Sequence, residues 1–135
     1  MSTGNHDAFS PDGKQVAACG ITPTIQVWDL SSRNLVTKLD TPHPIVAVEF
    51  SPDSKSLASA ERDGTVQLWN LETKASQLTL KAHAQRATSL DFNAAGTMLA
   101  TAGQDKMFEH FQRQHFVFFC GIYSVAKWKK NASYI

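Results

Sequence analysis

Three side chains invite a chemical reading first. His83, Thr101 and Asp105 supply a base, a hydroxyl and a carboxylate, spaced 18 and 4 residues apart. Those are the residue types of a nucleophilic triad. A second pairing, Arg62 next to Asp63, sets a cation beside a carboxylate. Neither group comes with supporting machinery: the nucleophile elbow, a GxGxxG stretch, a P-loop and an HExxH helix are all missing from the sequence. Cys19 and Cys120 have no CxxC spacing and no adjacent histidine pair, which argues against a disulfide framework or a zinc site. Two buried thiols in a reducing compartment are the expectation. Accordingly, no catalytic, cofactor-binding or metal-ligating residue is expected.

The bulk properties agree with a non-reactive role. With 135 residues, 42% hydrophobic and 19% charged, the chain suits one modest soluble domain. A net charge of +1 offers no field for a polyanion, so neither nucleic acid nor a membrane is expected as a partner. Lys127, Lys129 and Lys130 read as a solvated tail. The opening residues, MSTGNHDAF, lack the apolar run of a secretory signal. The longest apolar stretch, 116–126, is about half of what a bilayer crossing requires. An intracellular location, cytoplasmic or nuclear, is expected, and the glycosylation triplet at Asn131 would then go unused.

The elements that position these residues recur. Phe9, Phe50 and Phe92 lie 41 and 42 residues apart, and so do Trp28, Trp69 and Phe111. Val16, Leu57 and Leu99 share the offsets, as do Ala17, Ala58 and Ala100. Ser10-Pro11-Asp12 returns as Ser51-Pro52-Asp53 and weakens to Asn93-Ala94-Ala95. Several independent columns with one period indicate a structural repeat.

In the middle unit, alternation predicts strands over 45–50, 56–60, 65–69 and about 76–80. Ser51-Pro52-Asp53-Ser54 predicts a turn, and Asp63-Gly64 a hairpin connection. The third unit predicts strands over 87–92, 98–102 and 107–111, with Gln104, Asp105 and Lys106 turning between the last two. The first unit predicts strands over 16–19, 24–28 and 35–39, but the residues before Phe9 offer no alternating first strand. Four short strands repeated every 41 residues or so indicate an array of small antiparallel sheets.

FSPDGK at 9–14, FSPDSK at 50–55, LASAERDGTVQLWNL at 57–71, Trp28-Asp29 and Trp69-Asn70 together resemble the WD-repeat family of β-propellers. The resemblance covers roughly 8–111 and implies an all-β fold. That fold is a partial propeller of about three four-stranded antiparallel blades (8–39, 41–80 and 83–111), preceded by a disordered stretch, 1–7. An irregular, non-repeat tail, 112–135, follows. The family carries a structural hydrogen-bond network: a His before the first strand, Ser or Thr on the second, Asp in the tight turn, Trp on the third. Carried over by position, the network residues are Ser59, Asp63 and Trp69 in the middle unit, with Thr41 at the His position and His43 two residues late. In the third unit they are His83, Thr101 and Asp105, with Phe111 in place of the indole. In the first only Trp28 remains, with Ala18 and Thr22 at the Ser and Asp positions. The apparent triad is thereby explained as structural.

The resemblance implies a scaffold that binds proteins or peptides, with no cofactor. Candidate contact residues are Arg62, Gln104, Gln85 and Arg86, beside the turn Asp or just after the His. A closed propeller takes about 4–8 blades, so a fragment or truncated isoform is expected, with open blade faces available for self-association. The tail is aromatic and β-branched, yet Phe111, His115, Phe118, Ile122 and Val125 also fit helical spacing, so strand and helix both stay open. Two other readings remain: a propeller module attached to a hydrolase or peptidase, and an unstable remnant with no function of its own.

Overall fold

The strands begin and end where side-chain alternation meets turn chemistry. In the computed structural model, residues 6–20, 22–83, 86–105 and 117–124 are described. The first sheet is built from β1 (His6–Phe9), β2 (Gln15–Cys19), β3 (Thr24–Asp29) and β4 (Leu35–Asp40). The second contains β5 (Ile45–Phe50), β6 (Ser56–Glu61), β7 (Thr65–Asn70) and β8 (Ala75–Lys81). The third contains β9 (Ala87–Phe92), β10 (Met98–Asp105) and β11 (Val117–Ser124). Neighbours in sequence are antiparallel neighbours in each sheet. Among the described residues no helix is long and apolar enough to cross a membrane. The architecture is all-β, three open antiparallel sheets packed in sequence order, as a partial propeller requires.

The SPD turns show why the repeat begins as it does. Ser10 Oγ donates to Asp12 Oδ1 at 2.6 Å and accepts from the Gln15 amide, while Asp12 Oδ1 accepts from the Lys14 amide at 3.0 Å. Ser51 and Asp53 reproduce every one of these bonds with Lys55 and Ser56. In the third unit Asn93 Oδ1 alone accepts from the Thr97 and Met98 amides. One amide oxygen therefore does the work of two side chains, and the turn survives the loss of the motif. The turn also needs a left-handed residue, supplied by Gly13, Ser54 and Gly96 at φ 75°, 64° and 73°. Ser54 adopts it at a steric cost that the two glycines avoid.

Packing joins the sheets face to face. Ala17, Cys19, Ile25, Val27 and Leu39 of the first sheet meet Ile45, Val48, Phe50, Leu57 and Trp69 of the second. Ala47, Ala58, Ala60, Val66 and Leu68, on the opposite face of the second sheet, meet Ala82, Ala87 and Leu99. β5, β6 and β7 of the middle sheet are thus buried on both sides, while the first sheet buries only alternate residues. An extra residue in β5 opposite the Ala60–Glu61 step forms a bulge. It shifts the alternation so that Ile45, Val48 and Phe50 share a face.

Three features differ from the pattern read in sequence. The first unit has a first strand after all: His6 and Asp7 pair with Cys19 and Ala18, inside the segment expected to be disordered. Four residues are too few for alternation to register, and β2 supplies the pairing edge. In the third unit Gln104 and Asp105 do not turn; they extend β10 and pair with Phe118 and Val117. Of the two conformations open to the tail, 117–124 adopts the strand, which takes the third place in the sheet. Its aromatic and β-branched residues favour that choice, but their eventual partner lies twelve or more residues back and leaves no local signal. The third strand expected at 107–111 falls outside the described residues, as does the rest of the tail.

Candidate functional site

The side chains singled out by the repeat lie on β6 and β7 and at the turn between them in the middle unit, and on β10 and the segment preceding β9 in the third. In the middle unit Ser59 projects from β6 and receives the indole Nε1–H of Trp69 at 3.0 Å, both buried. Asp63 does not join them. Its carboxylate accepts from the Thr65 amide and from the Thr65 hydroxyl, both at 3.0 Å, and closes the β6–β7 turn. Lys81 lies 3.6 Å from Asp63 Oδ2 and also donates to the Asp63 carbonyl. Thr41, at the expected His position, is buried and donates its hydroxyl to the His43 carbonyl at 2.8 Å.

A residue that the repeat did not flag completes this corner. Glu61 is 0% exposed. Its Oε2 accepts from Gln67 Nε2 at 2.6 Å, and Gln67 Oε1 accepts in turn from Ser76 and Thr79. Its Oε1 lies 3.3 Å from His43 Nδ1, which stands equally 3.3 Å from Asp63 Oδ2. Burial pushes the Glu61 carboxyl above its ordinary range, against the bonds from Gln67 and His43. Burial would raise Asp63 too, but there the two Thr65 bonds, with Lys81 and His43 nearby, prevail and hold it below the usual value.

The third unit solves the same corner differently. His83, 2% exposed, meets Thr101 Oγ1 through Nε2 at 2.9 Å. Its ring lies over Gly103, where an added Cβ would come within 2.4 Å. By the 42-residue offset Gly103 corresponds to Glu61. The imidazole and glycine of one unit are exchanged for Thr41 and Glu61 at the same two positions of the other. Thr101 is 1% exposed, so its hydroxyl is shut away from solvent against the His83 ring.

The remaining expected residues scatter. Arg62 is exposed at the pinned turn and its amide donates to the Pro44 carbonyl at 2.9 Å. Arg86 is half-buried just before β9. Gln85 and the side chains of Gln104 and Asp105 lie outside the described residues. Trp28 is half-buried on β3, and Ala18 supplies no hydroxyl where Ser59 stands in the next unit. The His43–Glu61 contact was missed because the two residues are 18 apart and match no ligand spacing. The hint available was Glu61 itself, an acid at a position that is Gly20 and Gly103 in the other units.

The family model described as WD domain, G-beta repeat, matches residues 7–29, 33–70 and 74–109. No curated protein matches the chain.

Proposed function

This chain belongs to the WD domain, G-beta repeat family, whose repeats generally mediate binding to other proteins, and we propose that its own contact surface is the rim around the β6–β7 turn. The carrying observation is the turn itself. Asp63 is bonded twice to Thr65 and flanked by Lys81, so the neighbouring Arg62 is displayed on a held backbone instead of a loose loop. An exposed guanidinium on a rigid turn suits a planar acidic group of a peptide or protein partner. Arg86, Gln85 and Gln104 are the further candidates.

Acidic, neutral and basic peptides of equal length offered to the purified chain test the assignment. Preference for the acidic set should fall about 10-fold or more in Arg62→Ala, the value of one charge-assisted hydrogen bond. Equal binding by parent and variant overturns the role of Arg62.

We also read the three sheets as part of a larger ring. The support is the outward face of the first sheet, where Phe9, Val16, Trp28 and Leu35 form a row across all four strands. Their counterparts Phe50, Leu57 and Trp69 are covered by a neighbouring sheet. A cooperative thermal melt of the chain alone, at a discrete size, is the outcome that sets this reading above an unstable remnant. Members of the family are typically non-enzymatic, and the burial of Thr101 supports that here over a hydrolase module.

A further inference from the structure

We propose that His43 Nδ1, Glu61 Oε1 and Asp63 Oδ2 form a site for a divalent transition-metal ion, with Zn2+ the best-suited species. The three ligand atoms lie within 4.8 Å of one another. A hydrogen-bond account of the group is poor. A single imidazole N–H serves the two carboxylates only as a shared three-centre bond, and both contacts are 3.3 Å, against about 2.7–2.9 Å for a charge-assisted bond. A tetrahedral ion with bonds of about 2.0–2.1 Å places its ligand atoms about 3.3 Å apart, which matches both histidine contacts.

The surroundings are those of a held ligand set. Gln67 fixes Glu61 through Oε2 and leaves Oε1 turned to His43. Thr65 fixes Asp63 from its amide and hydroxyl. Outer partners of this kind orient first-contact ligands and sustain affinity. Glu61 is fully buried, with one carboxylate oxygen held by Gln67 and the other turned to the exposed His43 ring. One imidazole with two carboxylates suits zinc and its neighbours over magnesium or calcium, which take six or more oxygens. The His43 side chain is 47% exposed, so the fourth position faces water and could accept a ligand from a partner. Lys81 is the resident competitor for Asp63. The site is confined to the middle unit, since Gly20 and Gly103 occupy the glutamate's place elsewhere.

The test uses the full chain, stripped with chelator and titrated with Zn2+ by calorimetry and with Co2+ by visible absorption near neutral pH. One ion per chain is expected, with the intense d–d bands of a four-coordinate cobalt. His43→Ala, a change at an exposed ring, and the shape-preserving Glu61→Gln should each abolish that ion while circular dichroism stays unchanged. Gln67→Leu should weaken it about 10- to 100-fold as an outer-partner loss, and Lys81→Met should tighten it. No saturable binding by the parent chain, or binding equal in His43→Ala and the parent, overturns the proposal. Should Glu61→Gln fail to fold, His43→Ala and His43→Gln decide alone.

Discussion

The first and middle sheets carry nearly the same sequence columns and live in different environments. Phe9 and Phe50 occupy one column, yet Phe9 is 69% exposed and Phe50 3%. Trp28 and Trp69 occupy another; Trp69 is buried against the first sheet and bonded to Ser59, while Trp28 is half-buried opposite Val16, with Ala18 at the position of Ser59. The difference teaches that in a stacked array a residue's energetic weight belongs to the interface and not to the repeat. The middle sheet has a neighbour on each face. Among the described residues the first sheet has one, and its outward row of Phe9, Val16, Trp28 and Leu35 is exposed or half-buried.

The contrast should break most visibly at the phenylalanines. Phe50→Ala is expected to cost about 3–5 kcal/mol, from lost burial plus the cavity left between two sheets. Phe9→Ala should stay within about 0.5 kcal/mol. Urea unfolding of both variants checks the pair, and equal costs would mean that the first sheet's outer face is covered in solution.

The tryptophans should separate next. Trp69→Phe removes the donor to Ser59 and leaves a buried hydroxyl unpaired, at about 1–3 kcal/mol. The double change with Ser59→Ala should recover part of that loss. Trp28→Phe should be close to neutral. Gly103→Ala tests the third unit, where the new Cβ would press into the His83 ring. About 1–3 kcal/mol is expected for overpacking, seen as a lowered melting temperature.

The smallest effects lie in the turns. Ser54→Gly should relieve the left-handed strain by up to about 1 kcal/mol. Part of that is offset by losing the bond from the Asp12 amide to Ser54 Oγ, at 3.2 Å, which ties the first turn to the second. Asp53 carries the turn's pH dependence. The Ser51 hydroxyl first, then the Lys55 amide, hold its carboxyl below the ordinary value of 3.8. Its contribution is therefore complete above that value and disappears as pH falls through the lower folded one. Asp53→Asn should flatten this acid limb in a pH series of melts, and Asp12→Asn should do the same in the first sheet for the same reason.

Much of the fold is legible in the residues. The SPD turns and the strand signals in 45–50, 56–60 and 65–69 are local, and each corresponds to a strand or turn found in place, with a bulge interrupting the alternation of 45–50. What stayed hidden depended on distant partners. β1 is four residues long and exists because β2 offers an edge. β11 is recruited from a segment outside the repeat because β10 runs on past its expected turn and needs pairing. The candidate site divides in the same way. Ser59 and Trp69 are readable as a pair because the repeat places them, whereas His43, Glu61 and Asp63 meet only once β5 and β6 are paired.

Taken by itself, the chain's sequence determined that there would be short antiparallel strands, repeated every 41 or 42 residues, with Asp and Ser closing the turns of the first two units. Strand alternation and turn chemistry act over a few residues, so they are written locally, and the period repeats them along the chain. Only the tertiary structure decided which faces are buried, which tryptophan is bonded and which carboxylate is shut away from water. Those outcomes depend on what a neighbouring sheet excludes, and exclusion of solvent is a property of two surfaces together.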